Sequence, residues 1–119
     1  MGSRKQMGNA SEAIARQYLE QQNYVLQQSN FQCRAGEIDL IMRQDNLLVF
    51  VEVRSRSNCR HGMPAETVNR KKQDRIRKAA AYYLYRHPQL RQYYCRFDVV
   101  SVVWQNGQAE VEWIADAFQ

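Results

Sequence analysis

The sequence predicts an α/β fold, one β-sheet flanked by helices in the order αβββαββ. Three observations lead there. Two stretches carry apolar residues at helical spacing, and five shorter runs have the composition or alternation of strands. The pairs Asp45-Asn46 and Asn106-Gly107 mark tight turns between such runs. The 119 residues, 45% of them hydrophobic, suffice for one compact domain over residues 1–119 and are too few for two.

Taken in order, the first helix is expected over Ala10 to Gln22, where Ile14, Ala15, Tyr18 and Leu19 share one face. Tyr24 to Phe31 reads as a short strand. Gly36–Arg43 and Leu47–Ser55 are strands separated by a tight polar turn. Ser57 to Pro64 has loop composition. A long helix follows over Ala65 to Arg86, ended by Pro88. Arg96 to Trp104 is the most β-branched run, and a hairpin leads from it into Ala109 to Ile114. No repeat, linker or low-complexity tract interrupts this order.

Composition excludes several classes. No apolar run approaches the ~20 residues of a membrane span; with no apolar segment after its basic residues, MGSRKQMGN is not expected to act as a secretory signal, nor to be myristoylated, since Gln6 stands where Ser or Thr is needed. Cys33, Cys59 and Cys95 are odd in number and widely spaced, so they suggest neither a disulfide framework nor a zinc site. Reduced thiols of this kind fit the cytoplasm. The net charge is +5, unevenly placed: Arg54 to Lys78 holds nine basic residues against Glu66 and Asp74, a net of +7, so the remainder carries −2. Such a concentration suggests a polyanion partner, although a solvated helix face has the same composition.

The central strands place carboxylates inside an apolar pattern. With Asp45-Asn46 as a two-residue turn, Met42 faces Val49, Ile41 faces Phe50, Leu40 faces Val51, Asp39 faces Glu52, and Glu37 faces Arg54. Alternation then puts Ile38, Leu40, Met42, Val49, Val51 and Val53 on one face. The other carries Glu37, Asp39, Ile41, Phe50, Glu52 and Arg54. Opposed side chains have Cβ atoms only ~5 Å apart, and like charges there are destabilising. Either one acid is protonated, or a cation sits between them, or the sheet end is wet and nearby arginines pair with the acids. A divalent ion is an economical answer, because hard cations favour carboxylate oxygens.

These strands also carry a family resemblance. GEIDLI at Gly36–Ile41 and VFVEVRSR at Val49–Arg56 resemble the UPF0102 (YraN-like) proteins, which are similar to archaeal Holliday junction resolvases and restriction endonucleases. The likeness extends to GNASEAIARQYL at Gly8–Leu19, Val68, KKQDRI at Lys71–Ile76, RFDVVSV at Arg96–Val102 and DAF at Asp116–Phe118. It implies a restriction-endonuclease-like core with a mixed β-sheet and a PD-(D/E)XK nuclease site. Asp39 matches the first acidic position, and Glu52-Val53-Arg54 matches the E-x-K element. Glu12 matches a helical glutamate that often completes resolvase-like sites. Arg54 departs from the motif lysine, and an arginine cannot serve as a general base.

Other assignments compete. Asn9 to Glu12 has capping-box spacing, which would fold Glu12 back onto the Asn9 N–H. Val68, Lys72 and Ile76 are four apart, so Lys72 is expected on the core-facing side of the basic helix, either reaching the site or snorkelling to water. Asp98 reads as the partner of a local arginine or backbone group, and Tyr83 as core.

The expectation is a metal-dependent nuclease acting on DNA, with branched, resolvase-type substrates in view. Asp39, Glu52 and Glu12 would hold Mg²⁺ or Mn²⁺. Arg54 or Lys72 would contact the scissile phosphate, and Arg56, Arg60, Arg70, Lys71 and Arg75 would grip its neighbours. The alternatives are a non-catalytic nucleic-acid-binding module with a degenerate nuclease site, and a protein-interaction domain using the tyrosines of Tyr82 to Tyr94. The sequence leaves a homodimer open.

Overall fold

The computed structural model describes residues 4–57 and 68–119, with side chains from residue 8 onward. Most of the expected Ser57 to Pro64 loop, including Arg60, and the expected helix start at Ala65 lie outside the described residues.

The elements are α1 (Arg4–Gln21), β1 (Val25–Cys33), β2 (Gly36–Gln44), β3 (Leu47–Arg56), α2 (Arg70–Arg86), a 3₁₀ turn (Pro88–Leu90), β4 (Tyr94–Gln105) and β5 (Gln108–Phe118). The αβββαββ order stands. The five strands form one mixed sheet in sequential order, antiparallel throughout except for the parallel pair β3–β4. That parallel pair requires a crossover, and α2 supplies it. Among the described residues no helix is long and apolar enough to cross a membrane.

The turns follow their chemistry. Gln44 pairs with Leu47 around Asp45-Asn46, with Asp45 in the left-handed region at φ 52°. Gln105 pairs with Gln108 around Asn106 (φ 53°) and Gly107 (φ 77°), the two positive values of a type I′ hairpin. α2 begins at Arg70, later than expected. Val68 is not helical, and the Asn69 side chain accepts the Lys72 N–H at 2.8 Å as N-cap. α1 begins earlier than expected, at Arg4.

Each sheet face is closed by one helix. Ala15 and Leu19 of α1 pack with Leu40, Met42, Val49, Val51, Val100 and Val102. Ile76, Ala79, Ala80 and Tyr83 of α2 pack with Ile41, Leu48, Phe50 and Val99. Each large side chain so buried contributes roughly 1.5–3 kcal/mol of transfer free energy.

Ile38 corrects the simple alternation. It belongs to the α2-side core with Ile41, while Leu40 and Met42 belong to the α1 side. Two apolar residues that strict pleating would align thus point to opposite faces, and Asp39 sits between them. The adjacent edge strand shows the cause. Ser29 pairs with Leu40 and Phe31 with Ile38, while Asn30 between them is left-handed at φ 53°. A residue in that conformation re-aims its strand, as at a β-bulge.

Candidate active site

The β2–β3 ladder runs from Gln44↔Leu47 to Leu40↔Val51. The expected direct opposition of Asp39 and Glu52 is therefore modified: at the phase break the Asp39 carboxylate swings across, and its Oδ2 accepts the Val53 N–H at 2.7 Å. A side chain has taken over a bond that a regular ladder would give to backbone.

Glu52 points from β3 toward α2 and is only 6% exposed. Its Oε2 lies 2.7 Å from Lys72 Nζ. Lys72 is thus not core-facing, since its side chain is 52% exposed. Its stem runs over the surface and its ammonium reaches back to the buried acid, which the first turn of α2 allows because Asn69 fixes where that turn starts.

Glu12 approaches from the opposite helix. The capping-box reading is corrected, because α1 starts at Arg4 and Asn9 lies well inside it. Glu12 instead hydrogen-bonds the Asn30 side chain, at the same break that re-aims Asp39. Glu37 accepts a hydrogen bond from Gln32 Nε2 at 3.2 Å across the β1–β2 hairpin.

The electrostatics show these acids sensing one another. Burial, then the Glu52 charge, push the Asp39 carboxyl up to about 8. The Val53 N–H opposes that rise, while Glu12 and Glu37 add to it. Glu12 is also raised, first by burial; its Asn30 bond lowers it, and Glu37 and Glu52 raise it further. Asp39 is in none of the ion pairs formed among the described residues, and a proton or a bound cation would each relieve its charge.

Among the described residues no group of three or more acids, histidines or cysteines could by itself hold a metal ion. The Glu12-Asp39-Glu52 set is therefore not a closed cage. The donors do suit a hard cation bound through one or two carboxylates and otherwise through water or phosphate, which is the habit of Mg²⁺.

Cations border the acids. Arg70, Lys71 and Arg75 are exposed on the first turns of α2. Arg54 and Arg56 are half-buried at the far end of β3, and each has an interaction partner. α2 approaches the start of β2 closely: a Cβ on Gly36 would lie 3.2 Å from Arg75 Cβ. Sequence reasoning missed Asn30 and Gly36. An asparagine inside a strand run is a left-handed-residue signal that could have exposed the first.

The family model for the uncharacterised protein family UPF0102 matches residues 11–102. The chain belongs to the UPF0102 family. A UPF0102 protein of Nitrosomonas europaea is 43% identical over 118 residues, covering 99% of this chain and 98% of the relative. One from Clostridium tetani is 41% identical over 117 residues, covering 97% and 95%. One from Myxococcus xanthus is 44% identical over 115 residues, covering 97% and 90%. The UPF0102 match spans Glu12, Asp39, Glu52 and Lys72 and the basic start of α2.

Proposed function

We propose that this UPF0102 protein is a metal-dependent endonuclease acting on DNA, built on a restriction-endonuclease-like core. The observation that carries the proposal is the Asp39 carboxyl itself, held by the Val53 N–H beside the buried Glu52, pushed upward by burial and by that neighbouring charge, and next to the basic start of α2.

Asp39 and Glu52 would hold Mg²⁺ or Mn²⁺, with Glu12 acting through water. When bound, the ion supplies a Lewis acid and a water of lowered pKa. The chain's own groups do the rest. Lys72 holds Glu52 in place and offers an ammonium at the site's edge. Arg54, two residues after Glu52 on β3, is a fixed cation that stabilises charge on the phosphate and takes no proton. Arg70, Lys71 and Arg75 contact neighbouring phosphates, which sets the position of the nucleic acid without reading its sequence. The second reading, a nucleic-acid-binding module without turnover, is favoured by Arg54 in place of the motif lysine.

The deciding experiment is cleavage of branched, flapped, single-stranded and duplex DNA with Mg²⁺ and with Mn²⁺, comparing wild type, Asp39→Asn, Glu52→Gln and Arg54→Lys. The nuclease reading expects metal-dependent cutting by wild type, its loss in Asp39→Asn and Glu52→Gln, and its retention or increase in Arg54→Lys. Cutting by Arg54→Lys alone would make the natural protein a binder with a disabled site. Inertness of both on every substrate would end the enzyme reading.

A further inference from the structure

A groove of about 860 Å³ opens between the edge strand β1 and the outer face of α2, separate from the acidic residues. Its walls combine flat aromatic rings with cations. Phe31 stacks on Tyr82 at 6.3 Å between centroids and 30° between planes, and outside the groove's lining Tyr82 stacks on Tyr85 at 6.4 Å and 27°. Phe31 is anchored edge-on against the buried Tyr83 at 4.9 Å. Arg86 donates to the Tyr82 hydroxyl at 3.0 Å, and its guanidinium lies 5.8 Å from the ring centre. The Tyr82 ring is thereby held in one pose while remaining 40% exposed, and Tyr85 is 68% exposed. Arg34 and Lys78 complete the rim, and among the described residues no carboxylate lines it.

A stacked aromatic row that stays partly exposed among cations suits a ligand that is itself a row of flat rings on an anionic chain. A paired duplex hides its base faces within the stack, so the ligand must be unpaired. The side-chain amides of Gln28 and Gln32 also line the groove, and they offer donors and acceptors to base edges. An acidic peptide would satisfy the cations but leave the stacked rings unused.

We infer that this groove binds unpaired nucleotides, so that the substrate is a single-stranded or flapped nucleic acid rather than a plain duplex. The inference rests on the nucleic-acid reading above and adds the strand state. Lys78 and Tyr82 lie six and ten residues beyond Lys72 on α2, or ~9 and ~15 Å along its axis. That separation lets the unpaired stretch adjoin the acids without covering them.

The test is fluorescence anisotropy at low salt with the full chain, using a labelled oligothymidylate, a blunt duplex of mixed sequence, and oligoglutamate as competitor. Tyr82→Ala should weaken oligothymidylate binding roughly tenfold or more, the usual cost of losing one stacking platform. Tyr82→Phe should restore it, and Arg86→Gln should weaken it while steepening nothing in the salt dependence. Duplex affinity should be unchanged in Tyr82→Ala. Equal losses on duplex and single strand, or no loss on either in both Tyr82→Ala and Arg86→Gln, would overturn the inference and leave the nuclease reading standing. Displacement by oligoglutamate as effective as by unlabelled oligothymidylate would overturn it in favour of an acidic partner. No binding of any oligonucleotide would overturn both.

Discussion

Asp39 and Asp98 are two aspartates in the middle of strands, each placed where a ladder is interrupted, and each accepting a backbone N–H that regular pairing would have used. Asp98 sits at the register shift between β4 and β5 and accepts the Asp116 N–H at 2.9 Å. It also accepts Arg96 Nε and Nη2, both at 2.7 Å, and Trp113 Nε1 at 2.9 Å. Arg96 in turn donates to the Tyr24 hydroxyl, and its hydrogen bond to Asp98 raises its pKa above the ordinary arginine value. Asp98 is 0% exposed, and its charge is met by a guanidinium that donates twice and by two further N–H groups. Asp39 receives the Val53 N–H and is surrounded by Glu52, Glu12 and Glu37. The same residue type at the same kind of defect is thus neutralised in one region and left in surplus in the other. The Asp98 network brings its own partners, whereas the Asp39 carboxyl is pushed up to about 8, first by burial and then by the Glu52 charge.

The comparison breaks most visibly at Asp98. Asp98→Ala strands Arg96, half-buried beside Tyr24, and leaves Trp113 Nε1 without its acceptor. Removing one partner of such a pair costs about 3–5 kcal/mol, which urea unfolding at pH 7 would register as a lower midpoint at unchanged slope. A loss below ~1 kcal/mol would mean that the network is decorative.

Asp39→Asn should act with the opposite sign. The carboxyl titrates near 8 in the folded chain against an ordinary 3.8. Between those values the folded state holds a proton that the unfolded state has released, so wild-type stability falls as pH rises through that window. Asparagine can still accept the Val53 N–H and has no proton to lose. The variant should match wild type below pH ~4 and exceed it increasingly toward pH ~8, at up to ~1.4 kcal/mol for each pH unit over which the states differ by a full proton. Parallel pH profiles for the two proteins would remove the surplus-charge argument.

Much of this architecture was legible beforehand, for physical reasons that also explain what was not. The Asp45-Asn46 turn set the register of β2 and β3, because a two-residue hairpin leaves no freedom in pairing, and Leu40↔Val51 through Gln44↔Leu47 follow from it. The nearness of Asp39 to Glu52 was legible for the same reason, although the ladder ends one pair short of them at Leu40↔Val51. The phase break was not, since alternation assumes unbroken pleating, and Asn30 and Asp39 depart from it through a left-handed residue on the neighbouring strand. Helix ends were misplaced where the pattern was ambiguous: Asn9 resembled a cap in sequence, while the true cap of α2, Asn69, lay inside an apparently continuous helical run. The groove at Tyr82 was invisible because its two walls are 44 or more residues apart in sequence, Phe31 and Arg34 from one side, Lys78, Tyr82 and Arg86 from the other.

A divalent ion should sharpen the contrast by a smaller amount. Mg²⁺ or Mn²⁺ that binds only the folded chain stabilises it by about 2.7 kcal/mol at a hundredfold excess over its dissociation constant. The thermal midpoint of wild type should therefore rise with added ion at pH 8, where Asp39 can release its proton, and rise far less at pH 5. Asp39→Asn should lose most of the response, while Asp98→Asn, where it folds, should keep it. An equal rise in Asp39→Asn would place the ion elsewhere.

Lys72→Met carries the smallest expected effect on stability and discriminates most finely. Its ammonium is half exposed, so the 2.7 Å contact with Glu52 is screened by solvent and its loss should cost about 1 kcal/mol or less. The consequence for the acids is larger than for the fold. Without the ammonium, the buried Glu52 charge faces Asp39 alone, and the Asp39 titration should move further upward. If Lys72 only neutralises Glu52, an added divalent ion can replace it, and Lys72→Met should bind the ion at least as well as wild type. If Lys72 also holds a phosphate oxygen, the variant should bind the ion yet lose affinity for nucleic acid beyond what one fewer phosphate contact predicts, a change of roughly 0.9 in the log–log salt slope for duplex DNA. Calorimetric ion binding beside salt-dependent DNA binding separates the two, and a variant unchanged in both would assign the lysine to the helix surface.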